Sequence, residues 1–189
     1  MAVFSEGIFP PSEFWDFATR LYARGDVEAV CLRLQDRHQA NVNVLLFCCW
    51  VASSGRGSFR DGELEAALAV TAEWHGNVSM ALRTLRRYLR GEVGAAPRRL
   101  ADDLGRVVAE SEIYAEHVEQ LMLQDSLQRP GTGTFDPGEQ VRAASLNLFA
   151  YLQRLKVTLD DQDRAGLAEL LGQGFPEAAD WLVEQLSKS

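Results

Sequence analysis

The sequence has few of the features that mark secreted, disulfide-bonded or membrane-spanning proteins. Its three cysteines are Cys31, Cys48 and Cys49. An odd count with two adjacent members argues against a disulfide framework, and apolar neighbours suggest small buried thiols. The longest apolar run, residues 44–52, is shorter than the roughly 20 residues that span a bilayer. The first residues show no basic or apolar stretch, so we expect no signal peptide and a reducing, cytoplasmic location.

Catalytic and metal-binding motifs are also absent from the sequence. It contains no Gly-x-Ser-x-Gly, no Walker loop and no Gly-x-Gly-x-x-Gly after a strand. The three histidines, His38, His75 and His117, occur in neither a His-x-x-x-His nor a Glu-x-x-His pattern. We therefore assign no catalytic residue, no metal site and no cofactor from the sequence.

The charge of the chain is acidic and unevenly distributed. The net charge is −8, which disfavours nucleic acid as a general partner because phosphates repel an acidic surface. Residues 1–100 carry 12 basic and 11 acidic side chains, whereas residues 101–189 carry 7 and 16. The acidity therefore belongs to the C-terminal half.

Helix signals recur along the whole chain, and no segment alternates with the period of a strand. We predict one all-α domain over residues 1–189, with eight or nine helices around a buried central helix formed by residues 44–52. The Gly- and Pro-rich loop 130–138 could divide two helical layers. Gly76 and Asn77 are expected to end one helix and cap the next, and Pro176 is expected to begin a last helix with Trp181, Leu182 and Leu186.

A dense group of polar residues precedes the apolar run, and we name residues 35–43 the polar cluster. Two interpretations stand: a pocket for a small anionic metabolite at a helix N-terminus, or a helix–helix corner whose amides satisfy backbone groups. We expect Asn147, a polar residue on a later apolar stretch, to meet this cluster across the core. The pocket candidates are Gln35, Asp36, His38, Asn41, Asn43 and Asn147.

Arginines form a stripe on the predicted fifth helix, opposite Leu82, Leu85 and Leu89. Guanidinium groups could bind phosphate or an acidic partner helix, or the stripe could face the chain's own acidic half. The partner-binding or anion-binding candidates are Arg83, Arg86, Arg87, Arg90, Arg98 and Arg99.

Glutamates form a second stripe on the long predicted helix that follows. Glu112, Glu116 and Glu119 share one face by their spacing, so they could hold a divalent cation or form a solvated acidic face. We favour the solvated face.

Three segments resemble the signature of a family of small bacterial proteins known as a domain of unknown function. They are Phe14-Trp15, Leu32-x-Leu-Gln-Asp-Arg-His38 and Asn41-Val-Asn-Val-Leu-Leu-Phe-Cys-Cys-Trp50. The resemblance is specific over residues 12–90 and implies a compact, soluble bacterial protein. It supplies no activity, cofactor or catalytic residue that could be carried over to this chain. Members of that family often carry Gly near position 39 or 40, where this chain has Gln39 and Ala40, so the resemblance implies a less secure turn there.

From these observations we expect a helical protein that is not an enzyme and that binds a macromolecular partner through its arginine face. A pocket for an anionic metabolite at the polar cluster is the alternative. The expected partner is another protein, with nucleic acid disfavoured, no membrane, and a homo-oligomer as one form of the assembly.

Overall fold

The computed structural model describes residues 9–133 and 135–178, and helices dominate this part of the chain. The α-helical segments are α1 (Glu13–Tyr22), α2 (Val27–His38), α3 (Val42–Val51), α4 (Glu63–Trp74), α5 (Met80–Arg90), α6 (Arg98–Ser126), α7 (Pro137–Arg154) and α8 (Asp161–Gly174). Two π-helical turns, Ala52–Arg56 and His75–Ser79, follow α3 and α4, and a 3₁₀ turn spans Pro176–Ala178. No strand occurs among the described residues, so the all-α prediction is confirmed.

The helix starts follow the capping chemistry of the sequence. The Asp136 side chain accepts a hydrogen bond from the Glu139 N–H (2.9 Å), with Pro137 in the first helical turn. Asp160 and Asp163 form a reciprocal capping box at the start of α8. Local side chains thus satisfy the backbone donors that each helix leaves unpaired.

The turn between α2 and α3 forms without glycine. Gln39 adopts the left-handed conformation (φ 57°, ψ 27°), and its N–H bonds to the Gln35 carbonyl at 2.9 Å. Asn41 then caps α3 by accepting the Asn43 N–H at 2.9 Å. The sharp turn is therefore present even though a non-glycine residue is strained there.

The predicted count of eight or nine helices is too high. The π-helical turn His75–Ser79 joins α4 and α5 into one continuous helix, so the described residues form seven separate helices. Gly76 and Asn77 do not end the helix, because both residues lie within the π-helical turn His75–Ser79. Of the last predicted helix, Trp181, Leu182 and Leu186 lie outside the described residues.

The described residues divide into two units. The first comprises residues 9–12 and 65–126, and the second comprises residues 13–64 and 127–178. The loop that begins at Pro130 belongs to the second unit, where the Gly133 N–H donates to the Gly55 carbonyl at 2.7 Å.

The core of the second unit is built on α3. Residues 43–52 are all buried, which confirms a buried helix over the apolar run. Phe14 from α1 lies 5.4 Å, between ring centroids, from both Phe47 and Trp50. α7 packs along α3, and α8 packs against α2.

The first unit is dominated by the long helix α6, against which the continuous helix α4–α5 packs. The Trp74 indole N–H donates to the Ala115 carbonyl at 3.0 Å. A Cβ atom added at Gly105 would lie 3.8 Å from Cβ of Leu89, so the helices approach closely there. None of the described helices has the length and apolar character needed to cross a membrane.

Candidate interaction site

The polar cluster connects four helices of the second unit, which are α2, α3, α7 and α8. Arg37 donates to Asp163 (2.8 Å) and to Asp160 (2.6 Å), and His38 Nε2 lies 2.9 Å from Oδ2 of Asp163. The Asn41 N–H donates to the Tyr151 hydroxyl at 2.8 Å. The carboxylate beside His38 therefore comes from α8, and not from the neighbouring Asp36.

Asp163 is fully buried and accepts hydrogen bonds from several directions, including the Asp160 N–H at 3.2 Å. The hydrogen bond from Arg37 and that from the Asp163 backbone hold the pKa of Asp160 well below its usual range. Among the other pocket candidates, Gln35 and Asn43 are buried and Asp36 is exposed. Ion pairs thus join α2 to α8, and the hydrogen bond at the cap of α3 joins α3 to α7.

Asn147 does not meet the polar cluster, contrary to the expectation. Its Nδ2 donates to the carbonyls of Cys48 (3.1 Å) and Gly57 (3.2 Å), and its Oδ1 accepts the Phe59 N–H at 2.7 Å. These are backbone groups at the other end of α3, where the π-helical turn leaves peptide groups that need partners. Asn147 therefore provides hydrogen-bond partners for the backbone groups where α3 ends.

The thiols of the second unit are shielded from solvent. Cys31, Cys48 and Cys49 are buried and free. Burial raises the pKa of the Cys31 thiol to about 12 and also raises the pKa values of Cys48 and Cys49.

The predicted arginine stripe is divided between the interior and the surface of the first unit. Arg83 is buried and donates from Nε to Glu112 (3.1 Å) and from Nη2 to Glu116 (3.0 Å). Arg86 also binds Glu112, with Nη2 at 3.1 Å from Oε1. These two arginines therefore face acidic residues of their own chain.

The remaining candidates lie at the end of the hairpin formed by α5 and α6. Arg87, Arg90 and Arg99 are exposed. Arg98 is exposed too, and it bonds to the Gly91 carbonyl (2.6 Å) and pairs with Asp102 (2.8 Å). Exposed cationic groups thus concentrate around the connection between the two helices.

The glutamate stripe on α6 is not the solvated face that we favoured. Glu112 and Glu119 are buried, with Glu119 showing no exposed surface. Burial alone would raise the pKa of Glu112, but the hydrogen bonds from Arg86 and Arg83 outweigh it and lower that pKa. For Glu116, burial dominates, and the charges of Glu112 and Glu119 add to it, so its pKa is raised despite Arg83. The stripe therefore packs against the α4–α5 helix.

The π-helical turn His75–Ser79 is tied to the same stripe. Ser79 donates to Glu119 Oε2 at 2.8 Å, and His75 Nδ1 lies 3.1 Å from Oε1 of the same carboxylate. His117, the other histidine of this unit, stacks on Phe9 with ring centroids 3.8 Å apart. Within the described residues, no group of three or more His, Cys, Asp or Glu is arranged to hold a metal ion.

Because of this pairing, α5 directs two arginines towards α6 while two of its large apolar side chains are exposed. Its arginines Arg83 and Arg86 face α6, while Leu85 (41% exposed) and Tyr88 (61% exposed) face solvent. We expected Leu82, Leu85 and Leu89 to lie on one face opposite the arginines, but only Leu89 of these is buried. Since exposed apolar groups are usually scattered singly, a helix that presents them along one side is notable.

An open groove runs along this outward side of the continuous helix. Its volume is about 530 Å³, and its lining residues follow helical spacing, with Gly76, Met80, Thr84 and Tyr88 at intervals of four and Ala81 and Leu85 in a second row. Further large apolar side chains are exposed on the first part of α6, at Leu100, Leu104 and Val107. We name Leu85, Tyr88, Leu100, Leu104 and Val107, together with the groove, the α5–α6 apolar surface.

The candidate residues that the sequence indicates are all polar or charged, so they do not include the exposed apolar residues of this surface. Both leucines and arginines recur at helical spacing on α5, so periodicity alone cannot decide which of them are buried. The deciding signal is on α6, where Glu112, Glu116 and Glu119 lie on one face and need cationic partners. Taken together, the arginine and glutamate stripes indicate that Arg83 and Arg86 lie between α5 and α6.

Comparison with known proteins gives a family and no activity. A family model described as "Protein of unknown function (DUF2390)" matches residues 13–123, which covers more than half of the chain. No curated protein and no solved structure matches the chain. The matched residues include α3, the ion pairs of Arg83 and Arg86 in the first unit and the whole α5–α6 apolar surface.

Proposed function

Since the chain belongs to the DUF2390 family of proteins of unknown function, its role has to be inferred from its surfaces, and we propose that it binds another protein chain through the α5–α6 apolar surface. The observation that supports this proposal is the orientation of α5. Two of its arginines form ion pairs with α6, and Leu85 and Tyr88 are left in solvent.

That orientation of α5 has a cost in the free energy of folding. Burying Arg83 beside Glu112 desolvates both charges, and such pairs contribute little net stability compared with apolar packing. Exposing Leu85 and Tyr88 forgoes the burial of large side chains, each of which stabilises a fold by about 1.5–3 kcal/mol when fully buried. A partner that covers the apolar side recovers that burial, so the arrangement is favourable in a complex.

The chemistry of the surface favours a protein over the other candidate partners. Interface centres are enriched in aromatic and large aliphatic residues, with arginine around them. Here Tyr88 and four aliphatic residues lie near the exposed Arg87, Arg90 and Arg99. The predicted arginine face thus contributes through its exposed end, while its buried part positions α5.

Site-specific photocrosslinking in cells tests the proposal. A photoreactive benzoylphenylalanine placed at Leu85 should give a discrete protein adduct. The same residue at Phe149, which is also exposed but lies on α7 of the second unit, should give none.

A second variant tests whether the adduct depends on the groove. Ala81→Glu places a charge among the lining residues at an exposed helical position, so it should abolish the Leu85 adduct without lowering the melting temperature. Equal crosslinking at positions 85 and 149, or an adduct that persists in Ala81→Glu, would contradict the proposal.

A further inference from the structure

We propose that the chain bound at the α5–α6 apolar surface is a second copy of this protein, docked antiparallel about a twofold axis. This inference rests on the proposed function, because it names the partner of the same surface. Its basis is the order of apolar and charged groups along the two helices.

The contacts between the helices define an antiparallel hairpin with two distinct ends. Leu89 approaches Gly105 near the α5–α6 connection, and Arg83 pairs with Glu112 further along. Ser79 reaches Glu119 further still from the connection. We call the connection end, residues 81–106, the tip, and residues 65–80 and 107–126 the base.

Three exposed apolar residues of α6 form a row along one side of the hairpin near its tip. Leu100, Leu104 and Val107 are spaced i, i+4 and i+7, which places them on one face of α6. Leu85 precedes Leu89 by one helical turn, and Leu89 lies beside Gly105, the neighbour of Leu104. Two antiparallel helices with one exposed apolar side form half of a four-helix bundle, and a second such layer completes it.

Charge is strongly polarised between the two ends of the hairpin. The tip holds seven arginines and three acidic residues, whereas the base holds seven acidic residues and no arginine or lysine. After the internal ion pairs are made, Arg90 and Arg99 remain exposed at the tip, and Glu65 and Glu73 remain exposed at the base. The surface charge therefore changes sign along the hairpin.

This polarity selects both the partner and its direction. An antiparallel second copy brings each basic tip to the acidic base of the other, while a parallel copy opposes like charges. A twofold interface uses the same patch on both chains, so one self-complementary surface is sufficient and the assembly closes as a dimer. A foreign acidic helix would match the tip but would meet repulsion at the base.

Sedimentation equilibrium on the purified full-length chain is the first test. We expect a mass of twice the 21.0 kDa chain. Leu104→Glu should halve that mass, because it buries an unpaired carboxylate in the interface. The matched control is Leu146→Glu, since Leu146 on α7 is 52% exposed and Leu104 is 49% exposed. The control should remain dimeric, and circular dichroism should show both variants folded.

Charge reversal then tests the antiparallel arrangement. A tip-reversed variant, Arg90→Glu with Arg99→Glu, and a base-reversed variant, Glu65→Arg with Glu73→Arg, should each dimerise roughly tenfold or more weakly than the wild type. An equimolar mixture of the two should recover dimerisation, because both tip–base contacts of the mixed dimer join opposite charges.

A chain that stays monomeric from micromolar to millimolar concentration overturns the inference, as does a dimer that survives Leu104→Glu. A mixture of the two reversed variants that stays monomeric overturns the antiparallel arrangement. If the chain is monomeric yet Leu85 crosslinks to a different protein in an Ala81-dependent way, the inference fails while the proposed function stands.

Discussion

The Ser79 hydroxyl donates a 2.8 Å hydrogen bond to Oε2 of Glu119, a carboxylate with no exposed surface. Ser79 ends the π-helical turn that joins α4 to α5. The bond therefore fixes the rotation of α5 about its axis, and with it the side of the helix that faces solvent. This buried acceptor on α6, together with the pairing of Arg83 and Arg86 with Glu112, thus sets the orientation of the surface to which we assign binding.

We predict that Ser79→Ala destabilises the first unit by about 1–3 kcal/mol, because Glu119 loses a buried donor. Urea unfolding monitored by circular dichroism measures the change. Ser111→Ala is the matched control, since the Ser111 hydroxyl bonds only to the Val107 carbonyl of its own helix (2.9 Å) and should change stability by less than about 0.5 kcal/mol. Equal effects of the two substitutions would show that the Ser79–Glu119 bond has no special role.

A glycine of the second unit should tolerate no side chain. A Cβ atom at Gly131 would lie 1.9 Å from the Ser54 carbonyl oxygen, so Gly131→Ala forces backbone apart and should cost about 3 kcal/mol. Gly174→Ala is the control, because its Cβ would meet only Leu21, at an ordinary 3.8 Å. Thermal unfolding of both variants tests this, and a stable Gly131→Ala protein would contradict the close approach.

The left-handed residue between α2 and α3 should be improved by glycine. Gln39 has a φ of 57°, and a side chain in this conformation costs about 1–2 kcal/mol. Allowing for the extra entropy of glycine in the unfolded chain, we expect Gln39→Gly to raise the free energy of unfolding by about 0.5–1 kcal/mol.

The same substitution at a helical position provides the control for Gln39→Gly. Gln153 is exposed within α7, so Gln153→Gly should lower stability by about 1 kcal/mol. Chemical denaturation distinguishes the two signs. A loss of stability in Gln39→Gly would show that the glutamine side chain contributes more than its strained backbone costs.

Because the first unit contains buried ion pairs, we expect its free energy of unfolding to fall in acid. The pKa of Glu112 in the folded chain lies below its ordinary value of 4.5, so the unfolded chain binds more protons below that pH. Stability contributed by this group is present above about pH 4.5 and is lost as the pH falls through the folded pKa. Glu116, whose pKa is raised, opposes this trend.

Urea titrations between neutral pH and about pH 3 measure the contribution of Glu112. Glu112→Gln should be less stable at neutral pH. Its free energy of unfolding should also fall less steeply than that of the wild type as the pH is lowered. Glu73→Gln, a change at an exposed glutamate, should keep the wild-type profile. An unchanged pH dependence in Glu112→Gln would assign the acid sensitivity to other groups.

The parts of the fold that depend on local chemistry could be predicted from the sequence. The apolar run 44–52 predicted a buried helix, and Asp136 and Asp160 cap the helices that follow them through contacts three residues apart. The rotation of α5 could not be predicted in the same way, because its apolar and arginine sides have equal periodicity. Only the neighbouring glutamates of α6 decide between those sides, and they are distant in sequence.

The continuity of α4 and α5 escaped prediction for a similar reason. Gly76 and Asn77 favour a break locally. The hydrogen bonds of His75 and Ser79 to Glu119, some forty residues away, hold the π-helical turn instead. The sequence indicates that Asn147 is a polar residue on an apolar stretch, but its partners at the end of α3 depend on tertiary packing.

All three cysteines lie buried in the second unit, and residues 65–126 contain none. An alkylating reagent can therefore modify the native chain only when the second unit opens, and unfolding confined to the first unit leaves every thiol protected. The native cysteines therefore report when the second unit opens, and no added label is needed. Mass spectrometry of alkylated protein during a denaturant series would separate the opening of the two halves.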